Sequence, residues 1–486
     1  MITPYIPADN TYCEVFDASG KVREHYKPLL EHFGAYNASS FQQLNEEVKR
    51  IFFNEGITFA VYSDKMQATE RIFPFDLIPR IITKTEWTAL SKGIFQRNEV
   101  INMFLKDLYN DQEVIKAGII PRELIESSAN YLEQMKGFTP PSEIYNHISG
   151  SDIIRHSDGK FYVLEDNIRV PSGVSYVIAN RKTLKKAFPK LFKAYKTEKV
   201  DDYSSNLLQM LQSVAPDTTE GDPTCVVLTP GIYNSAYYEH AWLAQSMGIE
   251  LVEGRDLSIK KDGYVYSKTI NGPQRVDVIY RRVDDAFLDP ETFKPDSLLG
   301  VKGLMKAYLD GKVTLVNAPG TGVADDKAVY TYIPEIIKFY LGENTEILLN
   351  NVPTYRCELE EDYKYVMDHI DQLVVKPVDE SGGYGISIGN TLTKAEIAEV
   401  KSTITANRRK YIAQPILSLS MHPTYIENEG VVEARHMDLR TFCLMGNGYR
   451  KVVPGGLTRV ALKKGNLIVN SSQGGGSKDT WVINQL

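Results

Sequence analysis

The sequence predicts an α/β protein built from two or three packed domains or lobes. Its 486 residues are long for a single hydrophobic core. Between residues 224 and 320, short apolar runs alternate with helical patterns, which is typical of a parallel or mixed sheet. From about residue 145 the apolar spacing changes from that of a helix to that of a strand. These three observations are the basis of the fold-class prediction.

The first 140 residues are predicted to be mostly helical. Apolar residues recur at helical spacing over 41–53 and again over 87–108. A helical pattern returns over 181–213, and a further helix-rich stretch is expected over 326–342. Helices are therefore expected on both sides of the predicted sheet segments.

The segment between 224 and 320 supplies the predicted sheet. Strands are predicted at Cys225–Leu228, Glu250–Val252 and Val276–Tyr280, and a helix lies between the first two. Because strand and helix alternate here, neighbouring strands are expected to run parallel.

Composition and charge exclude several classes of protein. Hydrophobic residues make up 43% and charged residues 24%, as in ordinary soluble domains. The net charge of −7 argues against a basic nucleic-acid surface, so no nucleic-acid partner is expected. No apolar run approaches 18 residues, and Met1–Tyr5 lacks the charged start of a leader. We therefore expect a cytoplasmic protein without a membrane partner.

The cysteine pattern argues against structural zinc and against a disulfide scaffold. Cys13, Cys225, Cys357 and Cys443 are widely separated, and no CxxC pair occurs. No convincing histidine partner sequence surrounds Cys13, so a catalytic thiol is not expected.

A hairpin near residue 160 contains the first candidate functional residues. Apolar runs flank the turn Ser157–Lys160, and Asp-Gly between apolar runs is a strong hairpin signal. Asp152 and Glu165 can then approach each other, and Asn167 projects from the same face as Glu165. Two carboxylates and an amide oxygen suit Mg²⁺. An exposed polar hairpin without a metal is the alternative.

The second candidate is a lysine followed by a glycine-rich loop. Lys376 ends a predicted strand, and backbone N–H groups in such a loop can approach phosphate oxygens closely. The loop is not a Walker A motif, because no Gly-Lys-Ser/Thr ends it. A plain hairpin turn is the alternative. The loop residues are Ser381, Gly382, Gly383, Tyr384 and Gly385.

Two further features fit a nucleotide site in combination with that loop. Lys327 opens the helix predicted after Pro319, where a lone lysine can equally be a surface charge. Gln414 and Ile416 belong to a short strand interrupted by Pro415, and an edge strand there could pair with the edge of an adenine.

Arg440 and Arg459 are candidates for stabilising charge during a reaction. Arg440 lies in a predicted strand that begins at Asp438, and Arg459 follows a tight turn. Arginine can stabilise charge on a transferred phosphoryl group or on a tetrahedral oxyanion. A surface salt bridge is the alternative for either residue alone.

Together these motifs resemble the ATP-grasp superfamily. The stretch 152–167, with Pro171-Ser172-Gly173 after it, is similar to the metal-binding end of D-alanine–D-alanine ligases. The two family lysines are matched by Asp326-Lys327 and Val375-Lys376-Pro377, and the mobile phosphate loop is matched by 381–385. The adenine-contacting hinge is matched by Gln414-Pro415. The strand and glycine-rich turn that usually precede the metal residues are matched by 438–440 and 470–476.

The order of these motifs is different from that of most ATP-grasp enzymes, in which the metal block comes last. Here it lies upstream of both lysines, which a closed site tolerates if the native termini lie close together. The whole chain resembles circularly permuted ATP-grasp proteins described as glutathionylspermidine synthase-like. The phrases Glu70–Arg80, Pro171–Tyr176, Tyr237–His240 and 471–481 fit that family.

One departure concerns the residue two positions before the metal aspartate. D-alanine ligases have an arginine there, whereas this chain has Gly150. The resemblance therefore implies that the missing guanidinium comes from elsewhere, with Arg440 and Arg459 as the candidates.

The resemblance implies an α/β (α+β) ATP-grasp fold in circularly permuted order, with two lobes clasping ATP. The expected parts are a helical N-terminal region, the metal-binding part of the C-terminal lobe, an α/β substrate domain, a lysine and glycine-loop lobe, and the rest of the C-terminal lobe. Their boundaries are placed at 1–140, 141–180, 181–320, 321–420 and 421–486.

It also implies an ATP- and Mg²⁺-dependent ligase that joins a carboxylate to an amine through an acylphosphate and releases ADP. Lys327 and Lys376 would hold the α- and β-phosphates, and Arg440 and Arg459 would face the transferred group. A nucleotide-binding regulatory or assembly protein without turnover is one alternative. A phosphotransferase on the same fold is another.

The substrate pocket is predicted less directly, in the α/β segment. Arginines suit carboxylate recognition, and a structural ion pair is the alternative. The candidates are Glu239, His240, Arg281 and Arg282. The expected partners are small-molecule or peptide carboxylates and amines.

Overall fold

A computed structural model describes the chain over residues 2–7, 10–62, 68–379, 385–467, 469 and 475–484. Of the predicted phosphate loop, Ser381, Gly382, Gly383 and Tyr384 lie outside these described residues, as do residues 470–474 of the predicted glycine-rich turn.

The described residues include α-helices along the chain from Lys27 to Ala406. Capping boxes begin three of them, formed by Asn37 with Ser40, Thr83 with Glu86, and Thr393 with Glu396. The α-helices are α1 (Lys27–Gly34), α2 (Ala38–Asn54), α3 (Lys84–Tyr109), α4 (Glu113–Lys116), α5 (Arg122–Glu126), α6 (Val174–Ala187), α7 (Pro189–Tyr195), α8 (Tyr203–Ser213), α9 (Tyr237–Met247), α10 (Asp285–Leu288), α11 (Leu304–Leu309), α12 (Lys327–Tyr330), α13 (Ile333–Leu341), α14 (Glu360–His369) and α15 (Lys394–Ala406).

The strands of the described residues form several sheets. They are β1 (Thr58–Tyr62), β2 (Ala68–Ile72), β3 (Phe75–Thr83), β4 (Ile148–Arg155), β5 (Phe161–Asn167), β6 (Cys225–Leu228), β7 (Glu250–Val252), β8 (Leu257–Ile259), β9 (Val265–Thr269), β10 (Gly272–Val276), β11 (Val278–Arg281), β12 (Thr314–Val316), β13 (Tyr355–Arg356), β14 (Leu373–Pro377), β15 (Ser387–Ile388), β16 (Tyr411–Pro415), β17 (Met421–Ile426), β18 (Val431–Arg440), β19 (Cys443–Gly446), β20 (Tyr449–Val452), β21 (Leu457–Val460) and β22 (Gly476–Ile483).

The central sheet brings distant parts of the chain together. Within the described residues its strands follow the order β20-β19-β4-β18-β21-β22-β3, with β5 paired to β4 and β17 paired to β18. The pairs are antiparallel, apart from the parallel pair β22 and β3. The hairpin near residue 160 therefore lies among strands from the end of the chain, although more than 250 residues separate them.

A second sheet has the order β12-β11-β6-β7, and its strands are parallel. Helix α9 connects β6 to β7, which confirms the predicted alternation of strand and helix. The strand predicted over 276–280 is interrupted at Asp277, whose carboxylate accepts a hydrogen bond from the Thr224 backbone N at 3.0 Å. This break places β10 in a separate antiparallel sheet with β9 and β8.

A third sheet, in the order β13-β16-β14-β15, forms the lobe that contains Lys376. Its apolar side packs against α14 and α15 through Val366, Leu373, Val375 and Ile404. Strands β14 and β16 are antiparallel neighbours, so the lysine and glutamine candidates are held side by side.

The N-terminal region has the predicted helices and also three strands that the spacing did not predict. Helices α2 and α3 confirm the predictions over 41–53 and 87–108. Strand β3 is buried on both faces and includes the buried Asp76 and Arg80, so its sequence has no apolar–polar alternation to recognise. Within the described residues, each helix is too short or too polar to span a lipid bilayer.

Candidate active site

The predicted hairpin is present and places three candidate ligands on one face of the sheet. Strands β4 and β5 pair so that Asp152 lies opposite Glu165 and Gly150 lies opposite Asn167. A bulge between Asp152 and Ile153 shifts the register of the rest of the hairpin. Directly opposite residues share a face, and so do residues two apart. Asp152, Glu165 and Asn167 therefore project from the same side.

Two arginines from neighbouring strands converge on Asp152. Strand β18 places Arg440 opposite Asp152, and its Nε and Nη2 atoms donate to the two carboxylate oxygens at 2.7 and 2.9 Å. Arg459 Nη2 donates to Asp152 Oδ2 at 2.7 Å. Burial favours the neutral form of Asp152, but Arg440 and Arg459 outweigh it and hold the pKa of this carboxyl well below its usual range.

Arg440 occupies the side of the sheet from which residue 150 would project. A Cβ atom added to Gly150 would lie 3.0 Å from Pro171 Cβ and 3.5 Å from Arg440 Cδ. The aliphatic part of Arg440 thus fills space that a side chain at position 150 would need. This geometry supports the idea that an arginine from β18 replaces the one missing before Asp152.

Asp438 holds the second arginine and was not among the predicted site residues. Its Oδ1 accepts from Arg459 Nε at 2.9 Å, and its Oδ2 contacts Arg459 Nη2. Burial raises the pKa of Asp438 although Arg459 opposes that shift. The sequence signal that could have identified Asp438 as a site residue is its position two residues before Arg440, because residues two apart in a strand share a face. We name Asp152, Glu165, Arg440 and Arg459 the Asp152 cluster.

Both predicted lysines lie next to this cluster. Lys327 Nζ is 3.5 Å from Glu165 Oε2, and the Lys327 backbone N donates to Val378 O at 3.1 Å. Lys376 is buried, and burial lowers the pKa of its ammonium to about 8, with Glu165 opposing the shift and Lys327 adding to it. The structure therefore brings residues from 165, 327 and 376 together at one place.

Gln414 contacts Lys376 rather than facing outward. Its Oε1 accepts from Lys376 Nζ at 2.7 Å, and its Nε2 donates to Thr354 Oγ1 at 2.9 Å. The expectation of an edge strand at this position needs a correction, because β16 is interior and pairs with β14 on one side and β13 on the other. Strand β13 covers only residues 412 and 413, so the β13 side of Gln414 has no paired strand among the described residues. The Ile416 backbone N donates to Gln372 O at 3.1 Å.

The loop after Lys376 is described only at its end. Gly385 has φ +68°, and a Cβ atom there would lie 2.8 Å from Pro377 Cγ. Glycine is therefore required at 385 by both backbone conformation and space.

A small pocket lies beside Glu165, and its size and lining show whether the candidate ligands fit Mg²⁺. Its volume is about 20 Å³, enough for one water molecule or one ion. Glu165 and Asn167 line it, together with Lys327, Asp325 and Asp379. The Asn167 amide nitrogen donates to Gly150 O at 3.0 Å, so its other polar atom is an oxygen, as a hard cation requires.

The donor types at this pocket fit Mg²⁺, with one restriction. Both Asp152 oxygens accept from guanidinium groups, so Glu165 and Asn167 are the less engaged donors. Among the described residues, no group of three His, Cys, Asp or Glu side chains is arranged to hold a metal ion by itself. Mg²⁺ commonly keeps waters and takes further ligands from nucleotide phosphates, so two or three protein donors are sufficient.

The predicted substrate residues form a closed, buried group, which we name the Glu239 cluster. Arg282 Nη2 pairs with Glu239 Oε1 at 3.1 Å, and Arg282 Nη1 donates to Pro171 O at 2.7 Å. Glu239 Oε2 accepts from Gly173 N, Ser175 N and Ser175 Oγ at 2.8 to 3.0 Å. The members are Glu239, His240, Arg281 and Arg282, each at most 3% exposed.

The two remaining members of the Glu239 cluster also have protein partners. Arg281 pairs with Asp285 at 2.7 Å and donates to Asn317 O at 2.7 Å. His240 Nδ1 lies 2.9 Å from Thr229 Oγ1, and burial, assisted by Arg282, lowers the pKa of this imidazole well below its usual value. A substrate role for these residues remains a prediction.

The fold and the site together define an ATP-grasp protein. The family model of circularly permuted ATP-grasp type 2 matches residues 79–461, and the chain belongs to this family. This confirms the fold class and the family that the motifs indicated. Members of the ATP-grasp class generally use ATP and Mg²⁺.

The chain is similar to several bacterial proteins along nearly its whole length. It is 52% identical to an uncharacterized protein of Synechocystis, over 98% of this chain and 97% of that protein. It is 50% identical to an uncharacterized protein of Mycobacterium tuberculosis, over 97% of this chain and 83% of that protein. A protein of Frankia casuarinae named as a putative glutamate–cysteine ligase is 39% identical, and the match covers 97% of this chain and 53% of that protein.

A solved structure supports the fold. A glutathione synthetase-like effector from Globodera pallida, in its apo form, superposes with a TM-score of 0.58. The match covers 92% of this chain and 98% of the effector at 10% identity. At that identity the likeness concerns the fold alone.

Proposed function

We propose that this protein is an ATP- and Mg²⁺-dependent ligase that joins a carboxylate to an amine through an acylphosphate. The observation that supports it best is the meeting of Glu165 with Lys327 and Lys376, which come from separate parts of the chain. Glu165 and Lys327 also line a pocket, so their pair is accessible to a ligand. Two cations beside a carboxylate and an amide oxygen form a set that suits a nucleotide triphosphate.

The proposed reaction has two steps. A substrate carboxylate oxygen attacks the γ-phosphorus of ATP, the bond to the β,γ-bridging oxygen breaks, and ADP leaves. The amine nitrogen then attacks the carbonyl carbon of the acylphosphate, the carbon–oxygen bond to phosphate breaks, and the amine loses a proton to solvent. The products are an amide, ADP and inorganic phosphate.

Each residue has a role in this scheme that follows from its contacts. Lys327 and Lys376 would bind phosphate oxygens, and Gln414 would orient Lys376 through the bond between their side chains. Arg440 and Arg459, fixed by Asp152, would present N–H groups to the transferred phosphoryl group or to the tetrahedral oxyanion. When Mg²⁺ is bound, Glu165 and Asn167, with Asp152, would hold it, and it would neutralise phosphate charge.

The relatives support a ligase without naming its substrates. The Frankia casuarinae protein is named as a putative glutamate–cysteine ligase, and this chain spans about half of its length, as it does for a similarly named protein of Frankia alni. Their activity therefore transfers here only as a proposal. We propose small-molecule or peptide acids and amines as substrates, a glutathionylspermidine synthase-like reaction, and action in the cytoplasm.

The test is a product analysis with a matched pair of variants. Wild-type protein is incubated with Mg-ATP and pooled acids and amines, and mass spectrometry reads condensed products while ADP is quantified. Glu165→Gln should lower ADP formation on the order of 100-fold, about 2.7 kcal/mol. Glu123→Gln, on the exposed surface, should leave it unchanged.

Three outcomes separate the proposal from its alternatives. An amide with stoichiometric ADP supports the ligase. A stable phosphorylated product with ADP would indicate a phosphotransferase, and nucleotide binding without turnover would indicate a regulatory or assembly protein. Near wild-type turnover by Glu165→Gln would remove Glu165 from the site.

A further inference from the structure

A second pocket lies between α2 and the ends of β3 and β22, apart from the Asp152 cluster. Its volume is about 340 Å³, at the lower end of the range for small-molecule sites. We name it the α2 pocket. The residues that decide its chemistry are Asn45, Phe52, Phe73, Phe75, Asp76 and Tyr425.

The walls of the α2 pocket are largely aromatic and fixed in place. Phe52 and Phe75 stack with ring centroids 5.2 Å apart and an angle of 13° between planes. Phe73 packs edge-on against Phe59 at 5.6 Å, and Tyr425 packs edge-on against Phe41 at 4.8 Å. Fixed aromatic walls favour a flat, apolar group in the space between them.

The carboxylates that line the pocket are already paired. Asp76 Oδ2 contacts Lys478 Nζ, which is fully buried and also donates to Pro423 O at 3.0 Å. Asp76 Oδ1 accepts from the Tyr425 backbone N at 3.1 Å. At the rim, Glu427 pairs with Lys49. A charged ligand would lose its hydration here without meeting an unpaired opposite charge in the described lining, so burying it would be costly.

Asn45 is a largely buried polar residue of this lining, whereas Asn428, which also lines the pocket, is exposed. Asn45 is 5% exposed, and no hydrogen bond to its side-chain amide occurs within the part of the chain that the structure describes. An amide without a protein partner offers its two N–H donors and its carbonyl acceptor to a ligand. A ligand carbonyl or amide would satisfy it.

We infer that the α2 pocket is a binding site for an uncharged, flat apolar group that has a carbonyl or primary amide. The inference does not rest on ligase activity. Leu462, which lines the pocket, follows Arg459 by three residues, a separation of roughly 10 Å along an extended chain. A ligand in this pocket would therefore lie beside the strand that supplies Arg459.

The test uses three benzene derivatives of similar size and different charge: benzamide, benzoate and benzylamine. Binding to the full-length protein is measured by saturation-transfer NMR and by calorimetry. Benzamide should bind at least tenfold more tightly than either charged probe. No benzamide binding, or equal binding of all three, would overturn the inference.

Variants on one helix locate the site. Asn45→Leu should weaken benzamide binding at least fivefold, whereas Asn54→Leu, exposed at the end of the same helix, should leave it unchanged. Asn45→Asp should shift the preference to benzylamine, because it adds an unpaired carboxylate. Benzamide binding that is the same in wild type and both Asn45 variants would show that the probe binds elsewhere and would overturn the inference.

Discussion

The Asp152 cluster and the Glu239 cluster are both built from arginines paired with carboxylates, yet they differ in how deeply their side chains are buried. In the Glu239 cluster, Glu239 and Arg282 side chains are each 1% exposed. In the Asp152 cluster, the side chains of Arg440 and Glu165 are 14% and 22% exposed. The first has protein partners around it, whereas Glu165 of the second lines a pocket together with Lys327.

This difference separates a structural group from a candidate site more clearly than residue type does. Glu239 accepts three hydrogen bonds from the start of α6, which favours the structural alternative for this residue, while its substrate role stays a prediction. Glu165 has Lys327 at 3.5 Å, a loose contact that a phosphate could replace. Variants in the two clusters should therefore separate into losses of stability and losses of activity.

The largest effect is expected from Arg282→Met in the Glu239 cluster. The change leaves Glu239 buried without its cationic partner, which should lower the free energy of unfolding by about 3–5 kcal/mol. Chemical denaturation measures it, with Arg255→Met as the control because that arginine is 78% exposed. A loss below about 1 kcal/mol would mean that the cluster opens to water more than its burial indicates.

The next effect is expected from Arg440→Met in the Asp152 cluster. Asp152 keeps Arg459, so the stability loss should be smaller than for Arg282→Met, while ADP formation should fall on the order of 100-fold. Rates and denaturation are measured on the same preparations. If the stability loss matched that of Arg282→Met and the rate were unchanged, the two clusters would both be structural.

Sequence reasoning predicted the elements of the fold better than their assembly. The spacing of apolar residues located α2 and α3, and the Asp-Gly turn located the β4–β5 hairpin. Strand β3 was missed, since a strand buried on both faces has no alternation. Pairing between β4 and β18 is a tertiary contact, so the resemblance to a known family was needed to expect it.

For the candidate site, the sequence indicated residue types but not their partners. Asp152, Glu165, Lys327 and Lys376 were predicted and lie together. Arg281 and Arg282 looked equally suitable for an acid, and only the contacts of Arg282 with Glu239 and Pro171 show how buried that pair is. Burial depends on the whole packing around a residue, which spacing along the chain does not encode.

A smaller effect is expected from Lys376→Met. This lysine lies next to the Asp152 cluster, and the change tests whether it binds a nucleotide phosphate. Losing one charge-assisted contact should weaken ATP binding by about 1.5–3 kcal/mol. Calorimetric titration measures it, and Lys364→Met is the control because that lysine is 69% exposed. Unchanged affinity in Lys376→Met would place the phosphates elsewhere.

The smallest expected effect is the change of nucleotide affinity with pH. Burial lowers the pKa of Lys376 to about 8, so the ammonium is present at pH 7 and largely lost at pH 9. Phosphate binding favours the protonated form, and ADP affinity should therefore fall about tenfold between pH 7 and pH 9. Lys376→Met should remove most of this dependence while Lys364→Met keeps it. A wild-type affinity that is flat or rises over this range would contradict a phosphate contact by Lys376, because its charge would then have no influence on the bound nucleotide.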